Sequence, residues 1–118
     1  MNNREKGRYF ENLAENYLKK NGYKLIEKNF FSRYGEIDII ALDKGDNLVF
    51  VEVKGRNSLN FGTGEESITR KKINSLIKTA EVFLKTHPNL EFNEIRFDVI
   101  SIYKDKINHI KNAFDVRE

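Results

Sequence analysis

Asp38, Glu52 and Lys54 are charged residues inside two otherwise apolar segments, in the run GEIDIIALDKGDNLVFVEVKGR. An unpaired charge is costly in an apolar setting, so these side chains need partners or a ligand. Two carboxylates ~4 Å apart repel by roughly 4 kcal/mol at an effective dielectric constant of ~20, and a divalent cation between them reverses that sign. The pattern therefore indicates a candidate cation site.

Segments 36–42 and 48–54 predict a hairpin, because both are rich in β-branched residues and flank the turn-like DKGD. Gly45 is expected at the apex, where a positive φ is easy. Side chains alternate between the faces of a strand, which puts Ile37, Ile39 and Ala41 on one face. The predicted register pairs Leu42 with Leu48, Ile40 with Phe50, Asp38 with Glu52 and Glu36 with Lys54.

Oxygen ligands without Cys or His nearby favour Mg²⁺ or Mn²⁺ over zinc. Lys54 could then steady or deprotonate a water, or stabilise an anionic transition state. Glu11 is a third candidate carboxylate, since it lies at the edge of the apolar face of the first predicted helix. The alternative is a ladder of surface ion pairs on an exposed sheet face.

The elements that must position these residues alternate in a mixed α/β pattern. Apolar periodicity predicts helices over residues 4–21 and 67–86, and β-branched segments predict the strands. The strands are expected at 23–31, 36–42, 48–54, 95–103 and 107–110, with a polar loop at 55–64. The expected fold class is thus α/β, a small mixed sheet flanked by helices in the order α-β-β-β-α-β-β.

Composition narrows the class of protein further. A chain of 118 residues suggests one domain over 1–118. The absence of cysteine excludes disulfides, zinc ribbons and thiol catalysis. With no apolar run of ~18 residues and no secretory signal, no membrane segment is expected and a cytoplasmic location is predicted. A net charge of +3 permits a nucleic-acid partner without requiring one.

The remaining charged residues have structural interpretations. Asp98 is expected to cap a turn or to pair with a basic residue such as Arg96, and Glu36 to be a charge at a strand start. His87 and His109 are expected at the surface or at an edge. Asp43 and Asp46 are interpreted as turn-formers. Lys71, Lys78 and Lys85 share the outer face of the second helix.

Asp38, thirteen intervening residues and then Glu52-Val53-Lys54 resemble the PD-(D/E)XK nuclease motif, with Ile37 in place of the proline. The surrounding segments are more specific. GEIDII, FVEVKGR, NFGTGEE, RFDVI and INHIKNAF resemble the YraN-type family of small bacterial proteins over nearly the whole chain. The acidic residue in that family's first helix is matched by Glu11.

This resemblance implies a restriction-endonuclease-like core, similar to archaeal Holliday-junction resolvases. It implies that Asp38 and Glu52 bind Mg²⁺, with the Val53 main-chain carbonyl as a further ligand. The metal would activate water for in-line attack on a phosphodiester. The implied substrate is DNA rather than RNA, with Arg56 and Lys72 as candidate phosphate contacts.

Two other functions stay open on the sequence. One is a nucleic-acid-binding module that keeps the nuclease fold without turnover. The other is a Mg²⁺ enzyme acting on a small phosphate substrate, which is disfavoured because the chain has no nucleotide-binding glycine pattern. If the protein cuts two strands, a symmetric homodimer is expected, because one domain carries one site.

Overall fold

A computed structural model of the protein describes residues 2–56 and 68–114. Within them, the chain forms the predicted order of helix, three strands, helix and two strands. The elements are α1 Asn3–Lys20, β1 Lys24–Ser32, β2 Gly35–Leu42, β3 Leu48–Arg56, α2 Arg70–Thr86, β4 Ile95–Tyr103 and β5 Lys106–Ile110. The mixed α/β class is therefore confirmed. In this part of the chain, no helix is both long and apolar enough to cross a membrane.

The five strands form one sheet in the order β1-β2-β3-β4-β5. The β1–β2, β2–β3 and β4–β5 pairs are antiparallel, whereas β3 and β4 are parallel. Parallel neighbours need a crossover connection, and α2 lies between β3 and β4 in the chain. The hairpin that carries Asp38, Glu52 and Lys54 is thus the β2–β3 pair near the middle of the described sheet.

The two helices cover two separate apolar clusters. Ala14 and Leu18 of α1 pack with Ile39, Val49 and Val51. The second cluster holds α2 against the sheet through Leu76, Ala80 and Phe83, which meet Ile37, Ile40, Leu48, Phe50 and Phe97. Burial of both sheet faces explains why β2, β3 and β4 are nearly continuous apolar runs.

The predicted β2–β3 register is confirmed over the ladder that the structure contains. Ile39 pairs with Val51, Ile40 with Phe50, Ala41 with Val49 and Leu42 with Leu48. The ladder ends there, so Asp38 and Glu52 lie one step beyond it. The turn differs from the prediction, because Asp46 has the positive φ of 61° and Gly45 does not. The Asp43 side chain organises the turn by accepting hydrogen bonds from the Gly45 and Asn47 N–H groups.

The predicted face of Ile37 is wrong. Ile37 packs in the α2 cluster, on the side opposite Ile39. Strict alternation fails at Asp38, where the β2–β3 ladder stops. On the other side of β2, Asn29 of β1 has a positive φ of 51° near this point. The regular pairing of β2 is therefore interrupted on both sides at Asp38.

The predicted loop at 55–64 begins too early, because Gly55 and Arg56 belong to β3. Residues 57–64 of that prediction lie outside the described residues. Packing explains why residue 55 is a glycine, because a Cβ there would lie 2.1 Å from the Phe10 ring and clash with it. The glycine therefore lets α1 approach β3 closely and brings the next residue of the helix, Glu11, to the end of the hairpin.

Asp98 pairs with Arg96 as predicted, with Arg96 Nε 2.9 Å from Asp98 Oδ1. His109 lies on β5, the last strand of the described sheet, in agreement with its predicted place at an edge, but its side chain is not at the surface. Its side chain is only 5% exposed and its Nε2 lies 2.7 Å from Asp98 Oδ2, while Nδ1 lies 2.9 Å from the Tyr17 hydroxyl. β4 and β5 pair antiparallel, and this pairing brings His109 to the buried carboxylate.

Candidate active site

Asp38 lies just beyond the end of the β2–β3 ladder, where its side chain takes the place of a backbone acceptor. Its Oδ2 accepts a hydrogen bond of 2.8 Å from the Val53 N–H, which replaces a ladder bond to β2. Since an antiparallel strand residue directs its N–H and C=O toward the same neighbouring strand, the Val53 carbonyl also faces β2. The predicted carboxylate and the predicted main-chain ligand therefore lie on the same side of β3.

Glu52 is nearly buried, with 7% of its side chain exposed. Its Oε2 lies 3.8 Å from Lys54 Nζ and 3.4 Å from Lys72 Nζ. Its Oε1 is buried and has no hydrogen-bond partner among the described residues. A buried, unsatisfied carboxylate oxygen is costly, so this atom is the clearest indication that the site accepts a ligand.

A second group of carboxylates meets at Asp38. One ligand oxygen from each of Glu11, Glu36 and Asp38 lies within 4.8 Å of the others. Asn29 Nδ2 donates to Glu11 Oε1 at 3.0 Å and to Glu36 Oε2 at 2.8 Å. The Asn29 amide thus offsets part of the repulsion, and Asp38 is shared between this group and Glu52.

The surroundings of Asp38 favour its neutral form. Burial first, and then the charge of Glu52, raise the pKa of Asp38 to about 8. The Val53 N–H opposes this shift, whereas the Glu11 charge adds to it. Near neutral pH the raised pKa therefore favours the neutral form of the Asp38 carboxyl.

We expect this raised pKa to make stability pH-dependent in the presence of EDTA. Because the folded-state pKa of Asp38 lies above its unfolded value of 3.8, its contribution to stability is complete below about pH 4 and is lost as pH rises through about 8. The free energy of unfolding of the wild type, relative to Asp38→Asn, should fall between about pH 4 and 8. Urea titrations across that range measure it, and a constant difference would contradict the pKa.

The residues present fit a hard divalent cation. The donor set is made of carboxylate oxygens and a main-chain carbonyl, which suits Mg²⁺ or Mn²⁺. Glu52 Oε1, which has no donor in the described part of the chain, and the raised pKa of Asp38 both indicate negative charge in excess of what the described donors satisfy. A cation would supply the missing positive charge and hold the Asp38 carboxyl ionised.

The structure brings the four sequence-predicted residues Glu11, Asp38, Glu52 and Lys54 to one end of the hairpin. Glu36 does not pair with Lys54 and is not an isolated strand-start charge, because it contacts Asn29 and belongs to the acidic group. Sequence reasoning missed it, although its position two residues before Asp38 was a usable signal.

The two candidate phosphate contacts have partners within the protein. Lys72 is near Glu52, as described above. Arg56 Nε donates to Ser101 Oγ at 3.0 Å, which directs the guanidinium along the sheet toward β4. Their predicted role as phosphate contacts stays a prediction.

One solved structure, described as an EndoMS-dsDNA2 complex, is similar to this chain. The match has a TM-score of 0.41 at 16% identity, and covers 74% of this chain and 33% of that chain.

Sequence comparisons span nearly the whole protein. A UPF0102 protein from Syntrophomonas wolfei is 53% identical over 116 residues, covering 95% of this chain and 99% of its relative. A UPF0102 protein from Sulfurihydrogenibium sp. is 50% identical over 117 residues, covering 98% and 99%. The family model described as "Uncharacterised protein family UPF0102" matches residues 10–102. The chain therefore belongs to the UPF0102 family, the one that the YraN-type resemblance indicated.

Proposed function

We propose that this protein is a Mg²⁺- or Mn²⁺-dependent nuclease that hydrolyses phosphodiester bonds in DNA. The observation that carries the proposal is the buried Glu52 Oε1, which has no hydrogen-bond partner among the described residues and belongs to a carboxylate that acts on the pKa of Asp38. Lys54 and Lys72 both lie near Oε2 of the same carboxylate, at 3.8 and 3.4 Å. The PD-(D/E)XK resemblance assigns the same two residues to metal binding.

Asp38, Glu52 and the Val53 carbonyl would hold the cation. When bound, it would lower the pKa of a water and neutralise charge on the phosphate. Lys54 Nζ, 3.8 Å from Glu52 Oε2, is near enough to orient a nucleophilic water or to stabilise the phosphate in the transition state. Glu11 and Glu36 would complete the negative side of the site, directly or through water.

The substrate is proposed to be DNA, with branched or repair-related structures first among the candidates. The proposal includes cytoplasmic action and, for cutting two strands, a symmetric dimer. Arg56 and Lys72 would contact phosphates, which positions a nucleic acid without reading its sequence.

A non-catalytic nucleic-acid-binding module is the second candidate, and one observation favours it. Protein donors already meet one oxygen of several of these carboxylates, since Asn29 bonds Glu11 and Glu36 and Lys72 lies 3.4 Å from Glu52. Such satisfied carboxylates are compatible with a site that has lost its metal. This candidate predicts salt-dependent binding that survives loss of the acidic residues.

The test is cleavage of a labelled panel containing single strand, duplex, flap, four-way junction and RNA, each with Mg²⁺, Mn²⁺ or EDTA. We expect metal-dependent cutting of at least one DNA substrate by the wild type. Lys54→Ala should lower that rate by about 10²-fold or more, as for loss of a group that stabilises transition-state charge.

Lys44→Ala is the matched control. Lys44 is an exposed residue in the β2–β3 turn, at the opposite end of the same hairpin, and the substitution removes the same charge. Its activity should equal that of the wild type. Binding without cutting by the wild type would favour the second candidate, and equal activity of the two variants would remove Lys54 from the mechanism.

A further inference from the structure

A cavity of about 470 Å³ lies between the β1–β2 turn and the N-terminal half of α2. Its lining residues are Tyr34, Arg70, Lys71, Asn74, Ser75 and Lys78. Three of the six are cationic and none is acidic. Pockets of ~300–1,000 Å³ hold drug-sized ligands, so this one has room for a nucleotide unit.

The Tyr34 ring contacts two cationic side chains beside the cavity, those of Lys78 and Arg33. Lys78 Nζ lies 5.4 Å from the centroid of this ring, and the Arg33 guanidinium lies 4.9 Å from it. Arg33 Nη2 also donates to the Tyr34 hydroxyl at 2.6 Å. Tyr34 is 37% exposed, and its ring orients two cations through cation–π contacts at a surface that solvent reaches.

The wall of the cavity is built by close packing of the turn against α2. Ser75 Oγ donates to the Tyr34 carbonyl at 2.5 Å. Gly35 has a φ of 152°, and a Cβ there would lie 2.2 Å from Ser75 Oγ. Behind it, Thr79 is fully buried and its Oγ1 lies 2.8 Å from Ser32 Oγ. These contacts hold the aromatic wall in place before any ligand arrives.

The cavity is adjacent to the candidate active site along two elements. Ser75 lies three residues after Lys72, whose ammonium is 3.4 Å from Glu52 Oε2, so the two are neighbours on α2. Tyr34 is two residues before Glu36 of the acidic group. A nucleic-acid strand whose phosphate lay at Glu52 would have its next phosphates within reach of this cavity.

We propose that this cavity binds the phosphodiester backbone of the nucleic-acid strand that flanks the acidic site. The proposal rests on the proposed function for the identity of the ligand. Lys71 and Lys78 supply the charge, and Tyr34 with its bound Arg33 supplies a fixed wall. The contact is to phosphate and is independent of sequence.

The test is binding of a labelled DNA flap or junction in EDTA, where cleavage is absent, measured by fluorescence anisotropy over a range of salt concentrations. Each phosphate contact contributes about 0.9 to the slope of log K against log salt on B-DNA. Lys78→Ala should lower the magnitude of that slope by about 0.9, or about 0.7 if the bound segment is single-stranded.

Lys85→Ala is the control, since Lys85 is an exposed lysine two turns farther along α2 and its loss changes the net charge equally. Its slope should match that of the wild type. Equal slopes for the two variants, or no binding of any DNA by the wild type, would overturn the cavity assignment. A slope lowered by Lys78→Ala alone in a protein that never cleaves would keep the cavity and remove the nuclease proposal.

Discussion

Asp38→Asn should lower the rate of metal-dependent cleavage by about 10³-fold or more while DNA binding is retained. Asp38 lies where Glu52, the Val53 N–H and the Glu11–Glu36 group meet, so it would contribute to any cation held there. Metal-ion catalysis is worth several kcal/mol, and each ~1.4 kcal/mol is tenfold in rate. The amide keeps the shape of the side chain but loses the charge that a cation needs.

Single-turnover cleavage at saturating protein measures this effect, and anisotropy in EDTA measures binding. Asp46→Asn is the matched control, because it makes the same change in the exposed turn of the same hairpin. Asp46 has a positive φ of 61°, which asparagine tolerates well. Cleavage by Asp38→Asn within about tenfold of the wild type would remove this residue from the metal site.

The same substitution separates function from stability. An ionised Asp38 is unfavourable in the folded protein without a cation, because burial and Glu52 raise its pKa to about 8. Asp38→Asn should therefore not destabilise the protein above that pH, although it abolishes the proposed activity. Proteins commonly keep such locally unfavourable groups at functional sites, whereas a structural ion pair would be destabilised by the change.

The hairpin register could be predicted because the short DKGD turn fixes which residues face each other, and strict alternation of side chains then assigns each pair to one face of the sheet. A slip of one residue would have moved Ile40 and Phe50 away from the α2 side. The same rule failed at Ile37, because the β2–β3 ladder stops before Asp38 and Asn29 of β1 has a positive φ. Alternation describes a regular ladder and carries no information about where the ladder stops.

Sequence periodicity did not reveal that Glu36 belongs to the acidic group. Its partners Glu11 and Asn29 lie on α1 and β1, and their separation depends on how closely α1 approaches the sheet. That approach depends on Gly55 opposite Phe10, a contact between distant parts of the chain. Glu52, Asp38 and Lys54 were predictable because a single hairpin positions them.

Asp98 is a second buried carboxylate, and its partners lie within the protein. Asp98 has a side chain with no exposed surface and contacts Arg96 and His109. It also accepts a hydrogen bond of 2.9 Å from the Asn112 N–H. Sequence reasoning found the Arg96 partner, which is two residues away on the same strand face. It missed His109, because the β4–β5 pairing and the depth of that pair are tertiary features.

Asp98→Asn should destabilise the protein by about 3–5 kcal/mol, since removing one partner from a buried charge network leaves the others uncompensated. Although burial alone would raise the pKa of Asp98, the hydrogen bonds from His109, Arg96 and Asn112 outweigh burial and lower it. The contribution of Asp98 is therefore complete above the unfolded-state pKa and is lost as pH falls through the folded-state pKa. The penalty of the substitution should shrink below about pH 4.

Urea unfolding at neutral pH measures the Asp98→Asn effect against a matched surface variant, Asp105→Asn. Asp105 is exposed, has a positive φ of 62° that suits asparagine, and accepts a hydrogen bond from the Tyr9 hydroxyl. Its substitution should cost less than about 1 kcal/mol, as surface changes do. Similar losses of unfolding free energy for the two variants would contradict the prediction. They would mean that the ion pair with Asp43, 2.6 Å away, is sufficient for Arg96, and that His109 is stable without the Asp98 carboxylate.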